Sequence, residues 1–260
     1  MIYSLTWLPA VLRAADLKVA DVDGWESRGV GAMGDVAGVI CHYTAGPRQG
    51  NMPSLRTLID GRSDLRGPLS QIGLGRDGTC YVIAAGRCNH AGDGTWKGIG
   101  AGNTRFIGIE AENTGGADDS PWPEVQVDAY RRAVAAILRQ LGRSADFCAG
   151  HKEYATPPGR KSDPDFDMAA FRAEVAAILS GAAPPPALIP AVEAGGLARP
   201  TLRRGDHGDL VRRLQQNLQL EADGVFGPMT EASVRQFQRD KGLVPDGIFG
   251  PRSWAALGPL

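Results

Sequence analysis

The sequence has no excess of charge of either sign: 28 basic residues stand against 29 acidic ones in 260, a formal net charge of -1. A chain this balanced has no bulk field to attract nucleic acid or an anionic membrane, so we expect neither as a partner. It also lacks an apolar run near the ~20 residues of a membrane span. The first residues show no basic start followed by an apolar core. These absences predict a soluble protein made in a cytosol without a signal peptide.

Cysteine is scarce as well. The four cysteines, Cys41, Cys80, Cys88 and Cys148, are too few and too scattered for a disulfide framework in a chain of this length. A hairpin would bring Cys80 and Cys88 together, but we expect all four thiols to be reduced.

Proline and glycine are concentrated in residues 181–200, "GAAPPPALIPAVEAGGLARP". This composition suits neither a helix nor a strand and indicates a semi-rigid linker. We therefore predict one domain in residues 1–180, a size suited to a single core, and a small domain in residues 201–260.

The first domain interleaves strand and helix signals. Residues 36–43, 78–85 and 105–113 are rich in β-branched and aromatic residues, which favours strands. Residues 124–142 and 167–181 carry apolar residues at helical spacing and end at a glycine. The pattern predicts a mixed α/β fold, with a central sheet and flanking helices.

The last 60 residues contain a short repeat. "DGVFGP" begins at Asp223 and "DGIFGP" at Asp246, and each leads into a helical segment. Asp-Gly favours a turn, the phenylalanine can fill a core, and proline suits the first position of a helix. With the apolar stripe of residues 210–218, the repeat predicts a small all-α domain of three short helices.

Histidine is also rare, and the four residues are His42, His90, His151 and His207. Histidine titrates near neutrality and is the commonest metal ligand, although a single histidine is more often a surface or core residue. Cys41 adjoins His42, but neighbours on a strand point to opposite faces, so the two cannot form a nucleophile and base pair.

His151 opens an irregular, proline-rich segment, "GHKEYATPPGRKSDPDFDMAAF". Asp167 has a structural explanation as the N-cap of the helix that follows. Asp163 precedes a proline, which favours an extended backbone, so Lys161 and Asp163 project to the same side.

Together, His42, His151 and Asp163 would make a three-ligand zinc site with the fourth position left for water. Cys148, in "CAGH", is an alternative ligand. If residues 105–113 form a strand, Glu110 and Glu112 share one face, which an ordinary half-exposed strand would show equally well.

Five ordered blocks across residues 25–175 resemble the zinc-dependent N-acetylmuramoyl-L-alanine amidases of the amidase-2 type, related to peptidoglycan recognition proteins. The blocks are "CHYTAG", "RDGTCYVIAAG", "NHAGDG", "FIGIEAENTG" and "GHKEYATPPGRKSDPDFD". The chain looks most like the endolysins of actinobacterial phages. Its last 60 residues resemble the three-helix peptidoglycan-binding domain found beside many cell-wall hydrolases.

The resemblance implies zinc bound by His42, His151 and Asp163, with Glu110 as the catalytic glutamate and Lys161 as the catalytic lysine. It implies hydrolysis of the amide between muramic acid and L-alanine: Glu110 takes a proton from water, and Lys161 stabilises the oxyanion. We expect a monomer whose partner is peptidoglycan.

The resemblance also places His90, in "NHAGDG", beside the substrate. The chain departs from several relatives where they carry a tyrosine shortly before the "RDG" turn, because Ser70 and Gln71 stand there. The role of that tyrosine does not transfer to this chain.

Three other readings stay open: a recognition protein that binds peptidoglycan without cutting it, a hydrolase of another bond, and an interaction module. A glycosidase is disfavoured because Glu110 and Glu112 would lie ~6–7 Å apart on one strand face. Without an export signal, a lysin would reach the wall from the host cytoplasm through a membrane lesion made by another protein. The alternative is action on internalised wall fragments.

Overall fold

The computed structural model describes residues 3–182, 200–243 and 245–258. The chain divides into two compact units, one of Met1–Val19 with Gly24–Ile189 and one of Ala20–Asp23 with Pro190–Leu260. Most of the predicted linker, residues 181–200, lies outside the described residues, so the predicted domain limits stay a prediction.

Eight short strands occur in the described part of the chain: β1 Val19–Asp21, β2 Gly38–Tyr43, β3 Gly61–Arg62, β4 Leu65–Arg66, β5 Ile72–Leu74, β6 Cys80–Val82, β7 Phe106–Ala111 and β8 Cys148–Gly150. Six of them form one sheet in the order β1-β6-β5-β7-β2-β8, and β3 pairs with β4. Strands β5, β7, β2 and β8 run parallel, whereas β6 is antiparallel to β5. The mixed sheet with flanking helices confirms the predicted fold class.

The described helices are α1 Leu8–Ala14, α2 Leu55–Asp60, α3 Gly102–Arg105, α4 Glu124–Gln140, α5 His151–Tyr154, α6 Met168–Ser180, α7 Asp209–Asn217, α8 Pro228–Asp240 and α9 Pro251–Leu257. Helix α6 begins and ends at the predicted signals. The Asp167 side chain accepts hydrogen bonds from the Ala169 and Ala170 amides at 2.7 and 3.2 Å. Gly181 ends the helix in the left-handed region, with φ of 79°.

The central strands β2 and β7 are covered on both faces, which explains their nearly continuous apolar sequences. On one face Cys41 and Ile109 join the main core, which includes α4 and α6. On the other face Ile40 and Phe106 join a smaller cluster. His42 and Glu110 are paired in register on the parallel strands β2 and β7, so both side chains project to the same side of the sheet.

All four cysteines are buried free thiols. The Sγ atoms of Cys41, on β2, and Cys148, on β8, lie 3.5 Å apart. The sequence suggested an approach of Cys80 and Cys88, whereas the pairing of β2 with β8 brings the other two together.

The helices α7, α8 and α9 pack around a small core of their own. Its fully or nearly fully buried residues are Leu202, Val211, Leu214, Phe226, Val234, Phe249 and Trp254. Phe226 and Phe249 are the two phenylalanines of the predicted repeat. Helices α8 and α9 each begin at the repeat's proline, so the local signals predicted these three helices.

The repeat extends to a buried glutamine that binds each Asp-Gly turn. Gln215 Nε2 donates to Asp223 Oδ1 at 2.7 Å, and Gln215 Oε1 accepts from the Gly224 amide at 2.8 Å. Gln238 makes the same two contacts with Asp246 and the Gly247 amide, at 2.7 and 2.9 Å. Each turn is therefore held by the helix that precedes it.

In the described residues, no helix is both long enough and apolar enough to cross a bilayer.

Candidate metal site and active site

The three predicted metal ligands lie together. His42 Nδ1 is 3.0 Å from His151 Nδ1 and 3.1 Å from Asp163 Oδ2, and His151 Nδ1 is 3.0 Å from the same oxygen. All three residues are buried, with exposed fractions of 1%, 3% and 8%. Two nitrogen atoms and one carboxylate oxygen thus face a common point.

The sheet brings the two histidines to one edge. Strands β2 and β8 are parallel and pair Cys41 with Gly150. His42 and His151 are the next residues after that pair, and His151 begins α5 directly after β8. Because the carboxyl ends of parallel strands meet at one edge, residues 109 positions apart become neighbours.

Asp163 is held beside the histidines through the backbone. The Lys152 amide, which follows His151, donates to the Asp163 carbonyl at 2.7 Å. The Lys152 ammonium donates to the Phe166 carbonyl at 2.8 Å. These two bonds fasten the irregular segment to α5, so the carboxylate of Asp163 stays at the site.

Tyr130, on α4, fixes the backbone of His42 from the core side of the sheet. Its hydroxyl accepts from the His42 amide at 2.8 Å and lies 3.0 Å from the His42 carbonyl and 2.8 Å from the Ile109 carbonyl. Burial raises the pKa of this phenol well above its ordinary value, so it stays neutral. The sequence signalled Tyr130 only as one buried position of a periodic helix.

The outer ring nitrogens of the histidines also have partners. His151 Nε2 lies 2.9 Å from the Ala91 carbonyl. His42 Nε2 lies 3.0 Å from His90 Nδ1, and His90 Nε2 lies 3.2 Å from the Phe106 carbonyl. His90 is 8% exposed and sits behind His42. Its predicted contact with substrate stays a prediction.

Burial keeps the imidazoles of His42 and His90 neutral. It lowers the pKa of His42 to about 4, against the opposing effect of Asp163. Burial likewise lowers the pKa of His90 well below its ordinary value, and the neighbouring His42 and His151 lower it further. A neutral imidazole offers one lone pair, which is the form that binds a metal.

Glu110 borders the site on β7. The residue is half-buried, and its Oε2 atom is buried without a hydrogen-bond partner among the described residues. Burial raises the pKa of Glu110 well above its ordinary value, the charge of Asp163 raises it further, and the charge of Lys161 lowers it. Lys161 itself is exposed. The carboxyl can therefore exchange a proton beside the ligand cluster.

Glu112, the other carboxylate on that strand face, is fully buried and engaged. Its Oε1 accepts from the Thr44 and Ser54 hydroxyls at 2.8 and 2.9 Å, and its Oε2 accepts from the Ser54 amide at 2.9 Å. Glu112 thus joins β7 to the segment after β2. Strand alternation puts both glutamates on one face, and of these two only Glu110 has a carboxyl oxygen without a hydrogen-bond partner among the described residues.

The two residues that replace the relatives' tyrosine are both buried. Gln71 Nε2 donates to the Gly86 carbonyl at 3.1 Å, and Gln71 Oε1 accepts from the Gly108 amide at 2.7 Å. Gln71 therefore bonds two backbone segments. The Ser70 hydroxyl is buried without a partner among the described residues.

Cys148, the alternative ligand, lies on the core face of β8 with its sulfur against Cys41. The structure groups His42, His151 and Asp163 without it.

The sequence model of the N-acetylmuramoyl-L-alanine amidase family matches residues 32–166, which is more than half of the chain. The chain belongs to this family. The matched range contains every predicted site residue of the amidase domain, and the family is the one that the sequence resemblance indicated. A peptidoglycan binding domain family matches residues 204–257, which contain α7, α8 and α9.

Several solved structures are similar to parts of the chain. A Burkholderia AP3 phage endolysin is 42% identical over 23% of this chain and 25% of its own, with a TM-score of 0.22. A selenomethionine derivative of AmpD is 23% identical over 66% of this chain and 98% of its own, with a TM-score of 0.47. The endolysin N-acetylmuramoyl-L-alanine amidase LysCS from Clostridium intestinale URNW is 16% identical over 61% of this chain and 95% of its own, with a TM-score of 0.43. Among curated proteins, none matches the chain.

Proposed function

We propose that the chain is a zinc-dependent peptidoglycan hydrolase that cleaves the amide between N-acetylmuramic acid and L-alanine. The observation that carries the proposal is the convergence of His42, His151 and Asp163, with ligand atoms 3.0–3.1 Å apart, beside the unpartnered carboxyl oxygen of Glu110. Membership of the amidase family supports an amide as the bond cleaved.

The ligand cluster fits zinc. Imidazole nitrogens and a carboxylate oxygen are ligands that zinc prefers, and a tetrahedral ion with ordinary bond lengths holds them about 3.3 Å apart. The Ala91 carbonyl accepts only, so His151 Nε2 carries the ring proton and Nδ1 turns a lone pair toward Asp163. A cation would stabilise these facing electron pairs.

Zinc bound there would supply Lewis acidity and lower the pKa of water toward ~7. Glu110 accepts the proton of the attacking water. It then delivers that proton to the departing nitrogen, and the raised pKa of this buried carboxyl favours the protonated form that the second step needs. The register that pairs Glu110 with His42 keeps the carboxyl beside the ligand cluster throughout.

Lys161 provides a positive charge for the oxyanion that forms at the carbonyl. Its charge already acts on both His42 and Glu110. The side chain is exposed, so it can reach a substrate above the cluster. Loss of one such electrostatic donor typically lowers the rate by ~100- to 1000-fold.

A glycosidase that uses Glu110 and Glu112 as its pair fits the structure poorly. Both oxygens of Glu112 accept hydrogen bonds from the protein, and the residue is fully buried. Such a pair needs two carboxyl groups that reach the sugar from opposing sides.

The C-terminal helices would bind the same polymer and keep the enzyme on the wall, because tethering raises the local concentration of substrate. The match of residues 204–257 to a peptidoglycan binding domain family supports this function. The biological role we propose, lysis of a phage host from within, rests on the sequence resemblance to endolysins.

The proposal is tested by digesting purified peptidoglycan with the full chain, with and without a chelator. We expect new L-alanine amino termini, no new reducing sugars, loss of activity on chelation and recovery with zinc. New reducing ends would instead indicate a glycosidase. Tight binding to the wall without new ends would indicate a recognition protein.

A further inference from the structure

We propose that His90 is a positioning residue, which holds His42 in the tautomer whose Nδ1 can bind a metal at this site. The neighbouring Ala91 carbonyl does the same for His151, so one segment, residues 89–94, orients both histidine ligands. The inference rests on the proposed function in so far as that function assigns both histidines to a metal.

The positions of the ring protons on His90 and His42 follow from the Phe106 carbonyl, which is the last group in the series of hydrogen bonds from His42 through His90. The Phe106 carbonyl can only accept, so His90 Nε2 carries a proton and donates to it over 3.2 Å. Neutral His90 then has a lone pair on Nδ1, which accepts from His42 Nε2 over 3.0 Å. The remaining nitrogen of His42, Nδ1, is left unprotonated.

That nitrogen faces the site. His42 Nδ1 lies 3.0 Å from His151 Nδ1 and 3.1 Å from Asp163 Oδ2. The opposite orientation of the His90 proton would require His42 Nε2 to accept. The proton of a neutral His42 would then sit on Nδ1, where it blocks a metal.

The segment that carries His90 is itself fixed. The Asn103 carbonyl oxygen, Oδ1, accepts from the amides of His90 and Ala91, each at 2.8 Å. Arg160 Nη2 donates to the Asp93 carbonyl at 2.6 Å. The imidazole and the Ala91 carbonyl are therefore held by groups outside the ligand set.

Strand β7 makes room for the His90 ring at Gly108. A Cβ atom at Gly108 would lie 2.7 Å from His90 Cγ and 2.8 Å from His90 Nδ1. No real Cβ approaches a ring this closely, so the ring occupies space that any other residue would fill. This close packing is independent of the hydrogen bonds and keeps the ring in its place behind His42.

Both nitrogens of His90 already have partners within the protein, and the ring is 8% exposed. The geometry therefore gives His90 a function through His42. A hydrogen-bond partner of a metal-binding histidine typically raises the affinity for the metal by ~10- to 100-fold.

The test compares His90→Phe, which keeps a ring but removes the acceptor, with the matched control His207→Phe in the other unit. Long-range proton–nitrogen NMR on the metal-free full chain reports the tautomer of His42 without using zinc or activity. Competition with a chromophoric chelator measures the affinity for zinc alone.

We expect His42 in the parent to carry its proton on Nε2. In His90→Phe we expect a mixture of tautomers and ~10- to 100-fold weaker zinc binding. The His207→Phe control should match the parent in both, and His90→Asn, which restores an acceptor near the former Nδ1, should recover part of the affinity.

An unchanged His42 tautomer and an unchanged zinc affinity in His90→Phe would overturn the inference. If that variant does not fold, Gly108→Ala displaces the same ring without changing its chemistry, and parental values there would overturn it equally. A parent that binds no zinc would instead overturn the proposed function. The tautomer measurement would still decide how His90 acts on His42.

Discussion

Buried polar groups occur in both units of the chain, but they are partnered in different ways. In the C-terminal unit, Gln215 and Gln238 each hold the Asp-Gly turn that begins eight residues later. In the amidase unit, His42 meets Asp163 across 121 positions of sequence. Glu110 Oε2 meets no hydrogen-bond partner among the described residues.

The two ways of partnering buried polar groups correspond to two functions, stability of a turn and chemistry at a site. A buried amide with all its hydrogen bonds made stabilises a turn, because leaving it unpaired would cost its desolvation. Lone pairs and a carboxyl oxygen left without protein donors retain their capacity to bind a cation or to exchange a proton. Four sets of substitutions would break or sharpen this comparison.

The largest effect is expected at the ligand cluster. Asp163→Ala removes the charged ligand, so we expect loss of zinc binding and a fall in kcat/KM beyond the ~100- to 1000-fold cost of losing one electrostatic donor. Zinc content and release of L-alanine amino termini would measure both. The control is Asp165→Ala, two residues away and exposed, which should keep both properties. Wall hydrolysis at the parental rate by Asp163→Ala would remove this site from the mechanism.

Substitutions at Glu110, in β7, and at Glu112, directly after it, should separate chemistry from stability. Glu110→Gln should lower kcat by ~100- to 10,000-fold with zinc still bound, because the proton acceptor is lost. Glu112→Gln should leave kcat of the folded enzyme unchanged and lower the free energy of unfolding by ~1–3 kcal/mol, since its buried donors lose a charged acceptor. Rate measurements and denaturant unfolding on both variants make the comparison. The reverse pattern would show that the unpartnered oxygen does not identify the base.

The glutamines of the repeat should affect stability alone. Gln215→Ala or Gln238→Ala leaves the buried glycine amide of an Asp-Gly turn unpaired. We therefore expect each to lower the free energy of unfolding by ~1–3 kcal/mol. Cleavage of a short soluble muramoyl peptide should stay at the parental rate. Denaturant unfolding of the full chain measures the first effect, and a parental midpoint in both variants would contradict the structural function.

The smallest effect is a pH dependence that differs between the two repeats. Burial raises the pKa of Asp246 from 3.8 to about 6, whereas hydrogen bonds from the Val225 amide and Gln215 lower the pKa of the exposed Asp223. Because the folded-state pKa of Asp246 is raised, its contribution to stability is complete below the unfolded value. That contribution is lost as the pH rises through about 6.

The contribution of Asp223 has the opposite sign, because its folded-state pKa is lowered: it is present above 3.8 and lost as the pH falls. Melting temperatures of the full chain between pH 4.5 and 7 would test the loss of stability expected from Asp246, because the contribution of Asp223 does not change in this range. We expect Asp246→Asn to reduce the loss of stability toward pH 7, and Asp223→Asn to leave that loss in place. Identical pH profiles for the two variants would show that the repeats are electrostatically equivalent.

The elements predicted best are those whose signals lie within a few residues. Asp167 caps α6, Gly181 ends it, and the two Gly-Pro steps begin α8 and α9, because caps, turns and proline act through neighbouring backbone groups. The residue types of the candidate site were also visible, since few side chains offer nitrogen or oxygen ligands and the chain has only four histidines.

Other features had no local signal. Strand alternation places Glu110 and Glu112 on one face. Ser54 and Thr44, which are distant from Glu112 in the sequence, donate hydrogen bonds to the Glu112 carboxylate in the folded chain. In the sequence, Tyr130 is only one apolar position of a periodic helix. The hydrogen bond between its hydroxyl and the His42 backbone is visible only in the structure. His90 was assigned to the substrate by resemblance, and its place behind His42 depends on the space at Gly108.

The sequence by itself determined the mixed α/β class, the helices of the C-terminal unit and the residue types of the candidate metal site, because local propensity and ligand chemistry act at short range. The tertiary structure decided which polar groups were satisfied and which were left with free electron pairs. That outcome depends on strands β2, β7 and β8 lying side by side, which brings residues more than 100 positions apart within 3.1 Å.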